Sequence, residues 1–148
     1  MSVLRTASPS LKRLCENALR DRDLSDSDKA ATLANSGIVS LRLGDYDAAL
    51  TRLQQAADLS PTKGDIAISL AAALLRLGRA DEAIAALSGI DAISPERQHL
   101  AYYNRGLAYW ILEDAEEAYR DFYTSAALKP DFAPAEEALE QFEVASAE

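Results

Sequence analysis

Residues 35–61 read NSGIVSLRLGDYDAALTRLQQAADLSP. Apolar residues fall at helical spacing, a glycine interrupts at Gly44, helical spacing resumes, and Pro61 ends it. Two later stretches repeat the pattern: SLAAALLRLGRADEAIAALSGIDAISP, ending at Pro95, and NRGLAYWILEDAEEAYRDFYTSAALKP, ending at Pro130. The closing prolines lie 34 and then 35 residues apart. Ala49, Ala83 and Ala118 keep the same spacing, as do Leu53, Leu87 and Phe122, and the small residues Gly37, Ala71 and Gly106. Self-similarity at this period marks stacked helix pairs. The extra residue of the second interval falls within 96–98, in a connection that tolerates insertion.

Small residues belong where two helices cross, because ridges interlock closely only if nothing bulky intervenes. Prolines end the second helix of each pair by withholding an N–H. The turns are LGDYD, LGRAD and LEDAE. Gly44 and Gly78 suit a left-handed helix end, whereas Glu113 must find another geometry or carry strain there.

This period divides the chain into an N-terminal helix over 10–20, repeats over 30–63, 64–98 and 99–132, and a capping helix over 133–144. In the first helix Leu11, Leu14, Cys15, Ala18 and Leu19 share a face, and Ser27 or Asp28 is placed to cap the helix that follows. The last helix carries Phe132, Ala135, Leu139 and Phe142 on one side and Glu136, Glu137, Glu140 and Glu143 on the other, as a solenoid end requires.

Composition limits function. The chain of 148 residues carries a net charge of −9, of which residues 131–148 supply six acids and no base. With no basic stripe, nucleic acid and anionic membrane are poor partners. No apolar run reaches the roughly 18 residues of a membrane span, and MSVLRTASPSLKRLC is not an intact signal peptide. Cys15 is the single cysteine and His99 the single histidine. They stand two repeats apart, so no Cys–His nucleophile is expected, nor any metal or other cofactor site. Cys15 reads as a small core hydrophobe, and His99 as a surface or loop-proximal residue. The protein reads as a non-enzyme.

The small residues, GDYDAAL at 44–50, Leu53, Leu87, Phe122 and the three prolines resemble the tetratricopeptide repeat over about 30–144. Ala71 departs from the usual glycine, Ala80 and Ala115 replace the turn aromatic present as Tyr46, and Ser125 stands where Ala56 leads one to expect alanine. YY and NRG before and within 104–106 are similar to bacterial members, and CENALRDRDLSDSDKA at 15–30 resembles the lead-in of some proteobacterial ones. Several of those are exported. The expected compartment is the cytoplasm, with the periplasm second if a signal peptide is missing from this chain.

The resemblance implies an all-α, right-handed superhelix whose first helices line a concave groove. Carried over, that register places Ala31, Ala34, Asn35, Ile38, Leu41 and Arg42 in the groove from repeat one. Repeat two supplies Asp65, Ile68, Ser69, Ala72, Leu75 and Arg76, and repeat three Leu100, Tyr103, Asn104, Leu107, Trp110 and Ile111. Tyr103 and Trp110 are either aromatic anchors for a ligand or packing for the capping helix. Asn35, Ser69 and Asn104 either meet a peptide backbone or bond between helices. Arg42 and Arg76 either take a ligand carboxylate or pair locally. Arg52 and Gln55 fall on the convex side, where substitution should do almost nothing to partner binding. Some family members hold acidic chaperone tails with lysine, asparagine, asparagine, lysine and arginine. The corresponding residues here look like Ala34, Ile38, Ser69, Leu100 and Asn104, and none matches. The implied function is an adaptor that binds a peptide segment or helix of a partner protein in the groove. The second reading is a homo-oligomeric assembly part that self-associates by the groove or the end helix.

Overall fold

The computed structural model describes residues 9–18, 20, 24–60 and 64–146. Among the described residues eight α-helices follow in order: α1 Pro9–Ala18, α2 Asp26–Leu43, α3 Tyr46–Leu59, α4 Gly64–Arg76, α5 Ala80–Ala86, α6 Gln98–Ile111, α7 Ala115–Leu128 and α8 Ala133–Ser146. The described residues contain no strand. Each helix packs antiparallel on its successor, and α4 also lies beside α2 and α6. This is the all-α superhelix of helix pairs.

The pairs lock at the small residues. A Cβ on Gly37 would sit 2.6 Å from Leu53 Cγ, and one on Gly106 would sit 2.8 Å from the Phe122 ring. Leu53, Phe122, Ala49 and Ala118 are buried beneath them. Gly44 and Gly78 take left-handed φ values of 78° and 72°. Glu113 takes φ 62° at the third turn and so carries the strain. Ser25, rather than Ser27 or Asp28, caps α2. Its Oγ accepts from the Asp28 N–H at 3.1 Å and donates to the Asp28 carboxylate at 2.6 Å, a reciprocal cap.

The second repeat departs from the pattern. Its second helix, α5, has seven residues against fourteen in α3 and α7, and ends well before Pro95. Ser88 and Gly89 are poor helix formers at that point. The chain continues through 3-10 turns at Ile90–Ala92 and Pro95–Arg97. Ile90 and Ile93 nevertheless plug the core. The detour presses on the start of α4, where a Cβ on Gly64 would meet Ile93 at 2.8 Å and the Ala92 carbonyl oxygen at 2.9 Å. Pro61 lies outside the described residues, as does Leu19.

Two further expectations change. Cys15 is only half-buried, and Leu11 and Leu14 beside it are exposed, because no described helix covers that face of α1. His99 is buried, its ring 4.9 Å from Phe132 and edge-on to it. Burial, then the charge of Lys129, holds its pKa below the ordinary histidine value. On the convex side, Arg52 donates to buried Ser40 Oγ at 2.6 Å and to Glu16 at 3.2 Å. Ser125, in place of alanine, is fully buried and donates to the His99 carbonyl at 2.8 Å.

Candidate functional site

The helices α2, α4 and α6 stand side by side and leave a trough of about 490 Å³ between them. Leu41, Ala72, Leu75 and Leu107 give it apolar walls, with Asn104 and the arginines Arg42 and Arg76 completing it. Helical spacing explains the stripe: 72, 75 and 76 fall one turn apart on α4, and 104 and 107 on α6.

Both arginines occupy the last turns of their helices, where the negative end of the helix dipole favours a cation. Neither forms an ion pair among the described residues. Arg76 instead lies over the Tyr46 ring, 5.1 Å from its centroid, an attraction of about 0.5–1 kcal/mol at an exposed site. Tyr46 is the turn aromatic, so its signal was present in the sequence without its role.

A narrower cleft of about 190 Å³ separates α6 from α8 and shares Leu107 with the trough. Tyr103, Trp110 and Phe122 face Pro134, Glu137, Ala138, Gln141 and Phe142 across it. Tyr103 contacts Phe122 and Phe132, with centroids at 5.7 and 5.5 Å. Trp110 meets Phe142 edge-on at 5.0 Å while 45% of it stays exposed. Both aromatics therefore pack toward the end helix. Burial, then the nearby Glu137 carboxylate, raises the Tyr103 pKa. The α8 side of this cleft did not show in the register of the three first helices, because α8 lies beyond the third repeat.

The remaining groove residues divide. The Asn104 amide donates to the Ile68 carbonyl of α4 at 3.3 Å, an inter-helical bond. Ile68 itself is buried in the core and is not a groove residue, because α4 is flanked on both sides by α2 and α6. Asn35 is exposed, Ile38 and Ser69 are half-buried, and none of the three lines either depression.

Behind the groove, Arg105 and Asp121 form a bidentate pair at 2.7 and 2.8 Å, with Asp121 buried. Hydrogen bonding to Asp121 raises the Arg105 pKa. Among the described residues no group of three or more His, Cys, Asp or Glu could hold a metal, and no helix is long and apolar enough to cross a membrane.

A family model described as tetratricopeptide repeat matches residues 40–104, and a second of the same description matches 99–132. Solved structures resemble the fold. The first TPR of Spaghetti (RPAP3) bound to the HSP90 peptide SRMEEVD is 26% identical, with TM-score 0.75, covering 82% of this chain and 96% of that one. YrrB, a TPR protein with an unusual peptide-binding site, is 25% identical, with TM-score 0.75, covering 87% and 64%. MamA 41-end from Desulfovibrio magneticus RS-1 is 24% identical, with TM-score 0.78, covering 97% and 79%. A search of curated proteins gave no match.

Proposed function

This chain belongs to the tetratricopeptide repeat family, and from that premise we propose that it is a protein-interaction module holding a short partner segment in the trough between α2, α4 and α6. The observation that carries this reading is the trough's composition: apolar walls from Leu41, Ala72, Leu75 and Leu107, with two arginines at its edge that have no carboxylate partner among the described residues. Such a surface suits a segment with bulky apolar side chains and a nearby carboxylate. Relatives support peptide binding in kind, since the Spaghetti domain is bound to an HSP90 peptide and YrrB has a peptide-binding site. The ligand here differs from a chaperone tail, because Ala34, Ile38, Ser69, Leu100 and Asn104 stand where the charged clamp would be. Three repeats make a short groove, so affinity is modest.

The test is selection of random displayed peptides on the immobilised protein, followed by titration of the winners against variants. Peptides combining apolar and acidic residues should emerge. They should lose affinity for Leu75→Asp and for Arg42→Glu/Arg76→Glu, and keep it for Gln55→Ala on the convex side. Peptides that bind the folded groove variants unchanged would place the site elsewhere.

A further inference from the structure

The repeat register extends past the three pairs in both directions. Thirty-four residues before Ala49 stands Cys15, and 34 before Leu50 stands Glu16, so α1 has the sequence position of a second helix belonging to a pair before the first. Its contacts agree. It packs on α2 as α3 packs on α4. Glu16 bonds Arg52 at 3.2 Å, and the equivalent residues one repeat on, Leu50 and Ala86, line one convex cleft together. At the other end α8 packs on α7 as a fourth first helix. Tyr119 and Tyr123 are the equivalents of Leu50 and Gln54, which line the cleft against α5. No described helix covers the tyrosines as α5 covers Leu50 and Gln54. They stack at 6.3 Å and remain 45% and 60% exposed, with Phe142 5.5 Å from Tyr119.

Among the described residues two faces are unmatched: α1 is a second helix whose first is not among them, and α8 a first helix whose second is not among them. Each lacks what the other supplies. α1 offers Leu11 and Leu14, the latter 67% exposed, beside Arg13, while Lys12 pairs with Asp45 of the same chain at 3.9 Å. The other face offers the tyrosines and α8, where Glu136, Glu137 and Glu143 supply negative charge and no base stands. We propose that these faces are the two halves of one self-interface: α1 of one copy lies on α7 and α8 of the next, in the place of a fourth second helix. Such a head-to-tail contact does not close on two copies and builds open chains. It is weak by construction. Glu140 stands 34 residues after Gly106, at the close-crossing position, where its bulk keeps an incoming helix at a distance. The trough stays open in the assembly, so this inference is independent of the peptide reading.

The test is the mass of the full chain by sedimentation over a concentration series, with circular dichroism confirming that variants fold. Wild type should grow in mass with concentration, without stopping at a dimer, and Glu140→Ala should associate more tightly. Leu14→Glu, which spoils one end, and Tyr119→Glu/Tyr123→Glu, which spoils the other, should each be monomeric alone. Mixed, they should form a 1:1 dimer, because each retains the face the other lost. Arg13→Glu repeats the first arm without touching an apolar residue. A wild type monomeric at every concentration overturns the proposal. So does association that survives both end variants, a mixture that stays monomeric, or a Glu140→Ala protein that associates no more tightly.

Discussion

Arg105 on α6 grips Asp121 on α7 through two parallel bonds, Nε to Oδ2 at 2.7 Å and Nη2 to Oδ1 at 2.8 Å. The carboxylate is 2% exposed and the guanidinium end a quarter exposed. The two partners are therefore unequal. Arg105→Ala strands a buried charge and should cost about 2–4 kcal/mol, short of the full cost for a wholly buried pair. Asp121→Ala leaves a cation that can turn to water and should cost less. Urea unfolding of both variants checks the order, and equal losses would contradict it.

Glu113 holds φ 62° where Gly44 and Gly78 serve the first two turns. Relief of left-handed strain outweighs the extra chain entropy of glycine. Glu113→Gly should stabilise by about 0.5–1 kcal/mol, raising Tm by about 2–4 °C. Gly44→Ala should do the opposite. Calorimetry on the pair decides.

His99 is the single histidine, so its titration is separable. Burial lowers its folded pKa beneath the ordinary 6.5. Below that value the unfolded chain takes a proton that the folded chain resists, so stability is full above about pH 6.5 and falls as pH drops toward the folded pKa. Carboxylates add their own acid loss lower down. Subtracting the profile of His99→Leu isolates the histidine, and a difference that is flat between pH 7 and 5 would refute the assignment.

Phe142 joins α8 to the array through Trp110, Tyr119 and Phe122. Phe142→Ala should cost about 2–3 kcal/mol, below a full core truncation because the ring is half-buried. It should also shift the emission of the single tryptophan to the red. Unchanged emission would mean that α8 does not rest on Trp110.

Periodic features were legible in the sequence because periodicity is imposed by packing. Gly37 and Gly106 must be small for Leu53 and Phe122 to approach them. Seven of the eighteen groove residues read from the register, Leu41, Arg42, Ala72, Leu75, Arg76, Asn104 and Leu107, come together in one trough, since they follow the same spacing. What was hidden is what occurs once. Arg105 and Asp121 replace Ser36 and Arg52 of the first repeat and Leu70 and Ala86 of the second, so no recurrence marks them. Ile68 belongs to a central helix with neighbours on both sides, which a one-helix pattern does not reveal. His99 looked like a helix start in water. Its equivalent Gly64 is pressed by Ile93, so the position is covered in both repeats.

The seven-residue α5 gives the molecule an uneven architecture of restraint. Leu87, Ile90 and Ile93 remain sealed from water, yet the backbone between Ser88 and Arg97 is tied by short-range 3-10 bonds and by the Gln98 side-chain amide, which donates to the Ile93 carbonyl at 3.1 Å, rather than by a helical ladder. The middle of the array is thus held by side chains where its flanks are held by both side chains and helical hydrogen bonds. In a linear array each unit answers mainly to its neighbours. Amide protons of 88–97 therefore exchange before those of α3 and α7, and the repeats on either side can breathe out of step with each other while the apolar plug between them stays dry.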